Sequence, residues 1–279
     1  MLLSLYFTLL AILITIGCLL INKYFQKYLD KYWIRIVVAI FFLVYLIVFR
    51  FWGNWMQLGD LFKHRTPENW QGTYNEYYSY VLGKSLFLDL CPFFTFALLF
   101  TMIFDKTKYA SFVISPFCIF ASILVIPFVP MTEKGATFSF KYIFIGSDVF
   151  RLYYFMHLFL LVFGVLAYKN YSLKGKKLLN VWLDLQLVAI IFFSYVIIMS
   201  YALDIDQNTT GISRKDWEKG GSFYAIHKNL KVPHPFEAVI FYLLSYLVIN
   251  SLLLIKYYIN NYSFKEWVKF KLKRNQQLA

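Results

Sequence analysis

The stretch LLSLYFTLLAILITIGCLLI, Leu2–Ile21, runs for twenty residues without a charged side chain. At about 1.5 Å of rise per residue such a helix reaches about 30 Å, the thickness of a bilayer's hydrocarbon core. No basic residue precedes the run, and it is longer than the apolar core of a signal peptide, so it reads as a retained span. Thr15-Ile16-Gly17-Cys18 has only a faint likeness to a lipoprotein cleavage box.

Six more windows of comparable length follow at Ile34–Trp52, Val81–Phe104, Ser111–Pro130, Val149–Tyr168, Val181–Leu203 and Phe236–Tyr258. The expectation is an all-α, polytopic membrane helix bundle of about seven transmembrane helices. No intervening polar run is long enough for a soluble domain, so residues 1–279 read as one integral membrane domain ending in a basic tail, 259–279. The segments Gly53–Tyr80 and Asp204–His234 read as long loops capping the bundle.

Composition agrees. Of 279 residues, 60% are hydrophobic and only 15% charged, too little polar surface to cover a water-soluble core. The net charge of +13 sits mostly between apolar runs, where it orients a chain in the bilayer rather than gripping nucleic acid. Lys23, Lys27, Lys31 and Arg35, then Lys106 and Lys108, then Lys169, Lys174, Lys176 and Lys177, and finally Lys265 to Arg274 fall on alternate loops. That side is expected to be cytoplasmic, with the N-terminus outside, the C-terminus inside and the protein multi-pass in the cell membrane. The tail from Tyr262 to Arg274 interleaves aromatic and basic residues and suits an anionic leaflet.

Ionisable residues at bilayer depth are costly, so they locate candidate chemistry. In Val81–Pro92, VLGKSLFLDLCP, Lys84 and Cys91 lie two turns apart on one helical face, and Pro92 is expected to kink the helix beside Cys91. In Asp148–Leu158, DVFRLYYFMHL, His157 is the one histidine inside an expected span. Cys91 and His157 fall at matching depth below the starts of their windows. A neighbouring imidazole can deprotonate a thiol, so the pair is a candidate nucleophile and base. Buried cysteine and carbonyl-bonded histidine are the plainer reading. Cys18 and Cys118 read as packing, and no disulfide framework is written in three cysteines placed inside apolar runs. His64, His227 and His234 show no metal-ligand spacing, so neither metal nor cofactor is expected. Ser85, Ser194 and Ser200 stand in no nucleophile elbow.

The two polar spans resemble the YwaF-like family of integral membrane proteins, related to eukaryotic transmembrane Cys/His lipid acyltransferases. Leu86–Cys91, LFLDLC, is similar to a family segment reading roughly LPLHLC, and Tyr153–His157, YYFMH, to its YYxxH. Lys231–Phe236, KVPHPF, is similar to the family's proline- and aromatic-containing entry to the last span, and Asp204 falls near a polar position at the end of the sixth. The resemblance implies Cys91 as nucleophile, His157 as base and acyl transfer between lipids through a thioester. Asp89 stands where family members often carry histidine, and Pro92 where they often carry aspartate. An aspartate there opposes a thiolate unless Lys84 pairs with it or it orients His157.

The expected function is therefore an intramembrane acyltransferase or lipid hydrolase with membrane lipids or lipoproteins as partners. Tyr153 and Tyr154 are placed to orient His157, and Lys84 or Arg151 to hold a lipid phosphate. The alternative is a non-enzymatic lipid or small-solute carrier, or a subunit of a membrane complex, in which Lys84, Asp89 and His157 form a polar cluster.

Overall fold

The computed structural model describes residues 2–66, 73–129, 136–146, 152–205, 210–211, 213–218, 223–224, 227–228 and 232–262. Its regular elements are helical. Helix α1 spans Leu2–Leu29 and α2 Tyr32–Leu46; a π-helical turn, Ile47–Phe51, continues α2 directly into α3, Trp52–Phe62. Then come α4 (Tyr74–Ser85), α5 (Leu90–Phe104), α6 (Tyr109–Val125), the short α7 (Phe140–Phe144), α8 (Tyr153–Asn170), α9 (Leu178–Ala202) and α10 (Phe236–Asn261).

Several hydroxyls inside these helices bond back to a carbonyl one turn earlier. Thr8 and Thr15 donate to the carbonyls of Ser4 and Ala11 at 2.8 and 2.7 Å. Thr73 starts α4 through a capping box with Glu76, a signal present in the sequence three residues apart.

Helix α6 is the centre. Its residues from Ser111 to Ser122 are all buried. It is stapled to α5 by the stacked rings of Phe94 and Phe117, 4.7 Å apart, and it meets α8 where Gly164 lies against Cys118 and Ile119. Helix α1 joins from outside through Phe7 and Ala11, packed with Tyr142 and Tyr154. The outward faces are apolar: Leu13, Phe41, Ile198 and Val239 are 65, 62, 62 and 59% exposed. Burial thus follows helix position, not hydrophobicity, as expected when hydrocarbon is the solvent.

Six helical stretches are long and apolar enough to cross a membrane among the described residues: Leu2–Tyr28, Tyr32–Phe62, Tyr74–Phe104, Tyr109–Phe128, Leu178–Ala202 and Phe236–Asn261. The window expected at 149–168 is helix α8, which is not among those six; 149–151 lie outside the described residues. Tyr153, Tyr154 and His157 at one end, with Tyr168, Lys169 and Asn170 at the other, dilute its apolar run. Much of its surface is covered by neighbouring helices, so it does not need a lipid-facing composition.

Two other expectations change. Gly53–Tyr80 is largely helical, formed by nearly all of α3 and the start of α4, rather than a loop. The third window is a broken helix, not a kinked one. Helix α4 ends at Ser85, Phe87 takes a left-handed φ of 56°, and α5 restarts at Leu90 with Asp89 extended as its N-cap. Pro92 falls in the first turn of α5, where a missing N–H has no helical acceptor to lose.

One end of the bundle gathers the lysine-bearing connections. Lys108 pairs with Asp30 at 2.5 Å, and Arg35 donates to the carbonyls of Asp105 and Lys106. The Leu173 and Gly175 amides donate to Asn260 and Asn261, and Lys176 lies over the Tyr109 ring. The basic tail beyond Tyr262 lies outside the described residues.

Candidate intramembrane site

The break between α4 and α5 leaves carbonyls that a continuous helix would have used, and neighbouring helices meet them. Trp55 Nε1 donates to the Ser85 carbonyl at 3.2 Å, Tyr195 Oη to that of Leu86 at 2.6 Å. Within the break, the Leu88 amide reaches back to Gly83 at 3.0 Å. Irregular backbone inside an apolar bundle persists where protein groups replace the missing partners.

The same break places three chemically active side chains together. Lys84, on the last turn of α4, forms an ion pair with Asp89 across the break; their side chains are 20 and 7% exposed. Cys91 is the second residue of α5, half-buried, with its carbonyl accepting from Thr95 Oγ1 at 2.7 Å.

His157 approaches from α8 and is 2% exposed. Its Nδ1 lies 2.6 Å from the Tyr153 carbonyl. A carbonyl only accepts, so Nδ1 carries the proton and Nε2 keeps its lone pair. The Tyr153 ring stands 4.7 Å from the imidazole.

Height along the bundle can be measured from the lysine-rich end, where Tyr109 and Tyr171 are in ring contact at 5.4 Å. Cys91 is thirteen residues from Phe104, and His157 thirteen from Asn170, so both stand about 20 Å above that level. Arg50, Lys84 and Asp89 are close enough to act electrostatically on both. Among the described residues no hydrogen bond joins Cys91 to His157, so they share a cluster and a height without being engaged.

Arg50 is the member that sequence reasoning missed. It sits on the π-helical turn, with its guanidinium 5.6 Å from the Tyr153 ring and 5.9 Å from the Phe51 ring. Single π-turns inside α-helices recur at functional positions. The signal was available: Arg50 is an arginine near the end of the Ile34–Trp52 apolar window.

The other expected residues separate from this group. Tyr154 turns to α1 and donates to the Phe7 carbonyl at 2.8 Å, so it fastens a helix. Asp204 is exposed just past the end of α9. Arg151 lies outside the described residues. Cys118 is buried against Phe94, and the three cysteines are free thiols. Among the described residues no group of three His, Cys, Asp or Glu side chains is arranged to hold a metal ion.

A family model described as a family of unknown function, DUF5378, matches residues 7–279. The match covers nearly the whole chain, which therefore belongs to that family. No curated protein and no solved structure matches the chain.

Proposed function

We propose that this member of the family is a multi-pass protein of the cell membrane that moves lipid acyl chains through a thioester on Cys91. Helix α8 would be the seventh crossing. The lysine-rich end would face the cytoplasm, with the N-terminus outside and the C-terminus inside. Cys91 and His157 then lie in the outer half of the hydrocarbon core.

The observation that carries this reading is the shared height of Cys91 and His157 beside the Arg50, Lys84 and Asp89 cluster. His157 Nε2 takes the thiol proton as Sγ attacks the ester carbonyl carbon. The carbon–oxygen bond breaks, the departing alcohol oxygen takes that proton from His157, and the acyl chain stays on Sγ as a thioester. A lysolipid hydroxyl, a lipoprotein amine or water then loses a proton to His157 and attacks the thioester, releasing Cys91. Lys84 would meet the lipid phosphate, and the Tyr153 carbonyl keeps the imidazole in the required tautomer. The similarity of Leu86–Cys91 and Tyr153–His157 to the YwaF-like family supports the same roles.

In vesicles containing a radiolabelled diacyl phospholipid, the purified protein is expected to release lysolipid. Cys91→Ala and His157→Ala should each reduce the rate at least about a hundredfold. Release that survives both substitutions contradicts the reading.

A second reading, a lipid or solute carrier, draws on the broken α4–α5 helix. Discontinuous helices with paired charges near mid-bilayer are a common way to form a transport site. It predicts transbilayer movement that depends on Lys84 and Asp89 but not on Cys91.

A further inference from the structure

Helices α9 and α10 are joined partway along their length by an amide cluster. Asn250 Oδ1 accepts from Trp182 Nε1 at 2.9 Å and from Gln186 Nε2 at 3.2 Å, and Asn250 Nδ2 donates to the Tyr246 carbonyl at 2.7 Å. Gln186 is only half-buried, and among the described residues one N–H of its amide and its Oε1 have no partner. Counting from Leu178 puts Gln186 about 12 Å above the lysine-rich end, and counting back from Asn261 puts Asn250 about 16 Å above it.

In a bilayer that height lies inside the hydrocarbon core. The outward faces beside the cluster are otherwise apolar, with Leu183, Leu187, Leu247 and Leu254 all exposed. The hydroxyls of Tyr246 and Ser251, exposed on α10, also make no hydrogen bond among the described residues. Lipid tails offer neither donor nor acceptor, so these groups are satisfied only by another protein surface. This chain already joins two helices through amides: Asn22 and Asn170 exchange bonds of 2.9 and 3.1 Å between α1 and α8. A two-fold axis along the bilayer normal beside Gln186 would set its unused N–H and Oε1 against those of a second Gln186, and the same reciprocal pair forms. An unrelated protein would need a matching amide at this height, whereas a second copy carries one there by symmetry.

We propose that the outward faces of α9 and α10 form a dimer surface on which two copies of this chain meet, with Gln186 hydrogen-bonded to Gln186 at its centre. Asn250 orients the amide through its bond to Gln186 Nε2, and the exposed leucines pack around it. The interface rests on the membrane reading and holds whether or not Cys91 transfers acyl chains.

The test reconstitutes full-length protein bearing a C-terminal fluorescent protein in phospholipid vesicles and counts photobleaching steps as the protein is diluted in lipid. Retention after an alkaline carbonate wash is measured first; loss in the wash would defeat the membrane reading and the dimer with it. Two-step vesicles should exceed the share set by chance loading. Gln186→Leu should need about tenfold more protein per lipid to reach the same dimer fraction, as expected for one or two interhelical amide bonds. Should Gln186→Leu fail to fold, oxidative cross-linking decides. Leu187→Cys should link two copies above the background of the parent, and Phe41→Cys, at the same height on the outward face of α2, should not. Single-step bleaching at every dilution, a Gln186→Leu protein that dimerises as the parent does, or linking through Phe41→Cys in place of Leu187→Cys overturns the proposal.

Discussion

Lys84 and Asp89 pair across the interruption between α4 and α5, so one ion pair bridges two helices that the sequence reads as one. Removing a single partner of a buried pair leaves an uncompensated charge and typically costs about 3–5 kcal/mol, whereas replacing both with apolar residues is nearly neutral. Asp89→Ala should therefore lower the melting temperature in detergent sharply, and Lys84→Met combined with Asp89→Leu should recover most of the loss. Equal melting of the single and double variants would show that the pair does not hold the break.

Tyr195 and Trp55 supply the donors for the carbonyls freed at that break. Tyr195→Phe keeps the ring and removes only the hydroxyl. It should cost about 1–3 kcal/mol, because the Leu86 carbonyl is left without its donor. Chemical unfolding in mixed micelles would measure this, and an unchanged midpoint would mean that another donor takes over.

Close approach of α6 and α8 depends on Gly164. A Cβ there would stand 2.9 Å from Cys118 Cβ and 3.3 Å from Ile119 Cγ1. Gly164→Ala should destabilise by about 1–3 kcal/mol through overpacking. Because the nearest atom is a Cβ, Cys118→Gly should relieve the strain and Cys118→Ala should not, which thermal melting of the two double variants can distinguish.

At the lysine-rich end, burial alone would raise the Asp105 carboxyl. Hydrogen bonds from Thr107 Oγ1 and the amides of Thr107, Ala110 and Ser111 outweigh it and hold the group below its ordinary value of 3.8. A folded-state value below the unfolded one contributes stability that is complete above the unfolded value and lost as pH falls through the folded one. The melting difference between wild type and Asp105→Asn should be constant around neutrality and shrink below about pH 4. A gap that widens in acid would reverse the sign of this contribution.

The long apolar windows were legible because bilayer crossing demands length and hydrophobicity together, and six helical stretches of that kind form among the described residues. The break was not. Leu86-Phe87-Leu88 continues an apolar run with no glycine to mark the left-handed turn that Phe87 adopts. Pro92 drew attention to the right neighbourhood but to the wrong residue. Arg50 stands near the end of an apolar window, where an arginine commonly snorkels to the surface, and the π-turn that carries it leaves no sequence signature. Helical rise converts residue count into height, so counting puts Cys91 and His157 at one level, while no hydrogen bond joins them among the described residues. Tyr154 could not be assigned from that count, since its partner, Phe7, comes from a helix far away in the chain.

The central claim, a thioester on Cys91, is tested most directly by capture. Protein in vesicles is incubated with an alkyne-tagged phospholipid, and the modified peptide is mapped by mass spectrometry before and after neutral hydroxylamine. The account predicts an acyl adduct on Cys91 that hydroxylamine removes, that is lost in Cys91→Ala, and that forms at least about a hundredfold more slowly in His157→Ala. Acylation that resists hydroxylamine, maps elsewhere or forms equally fast without His157 would contradict it.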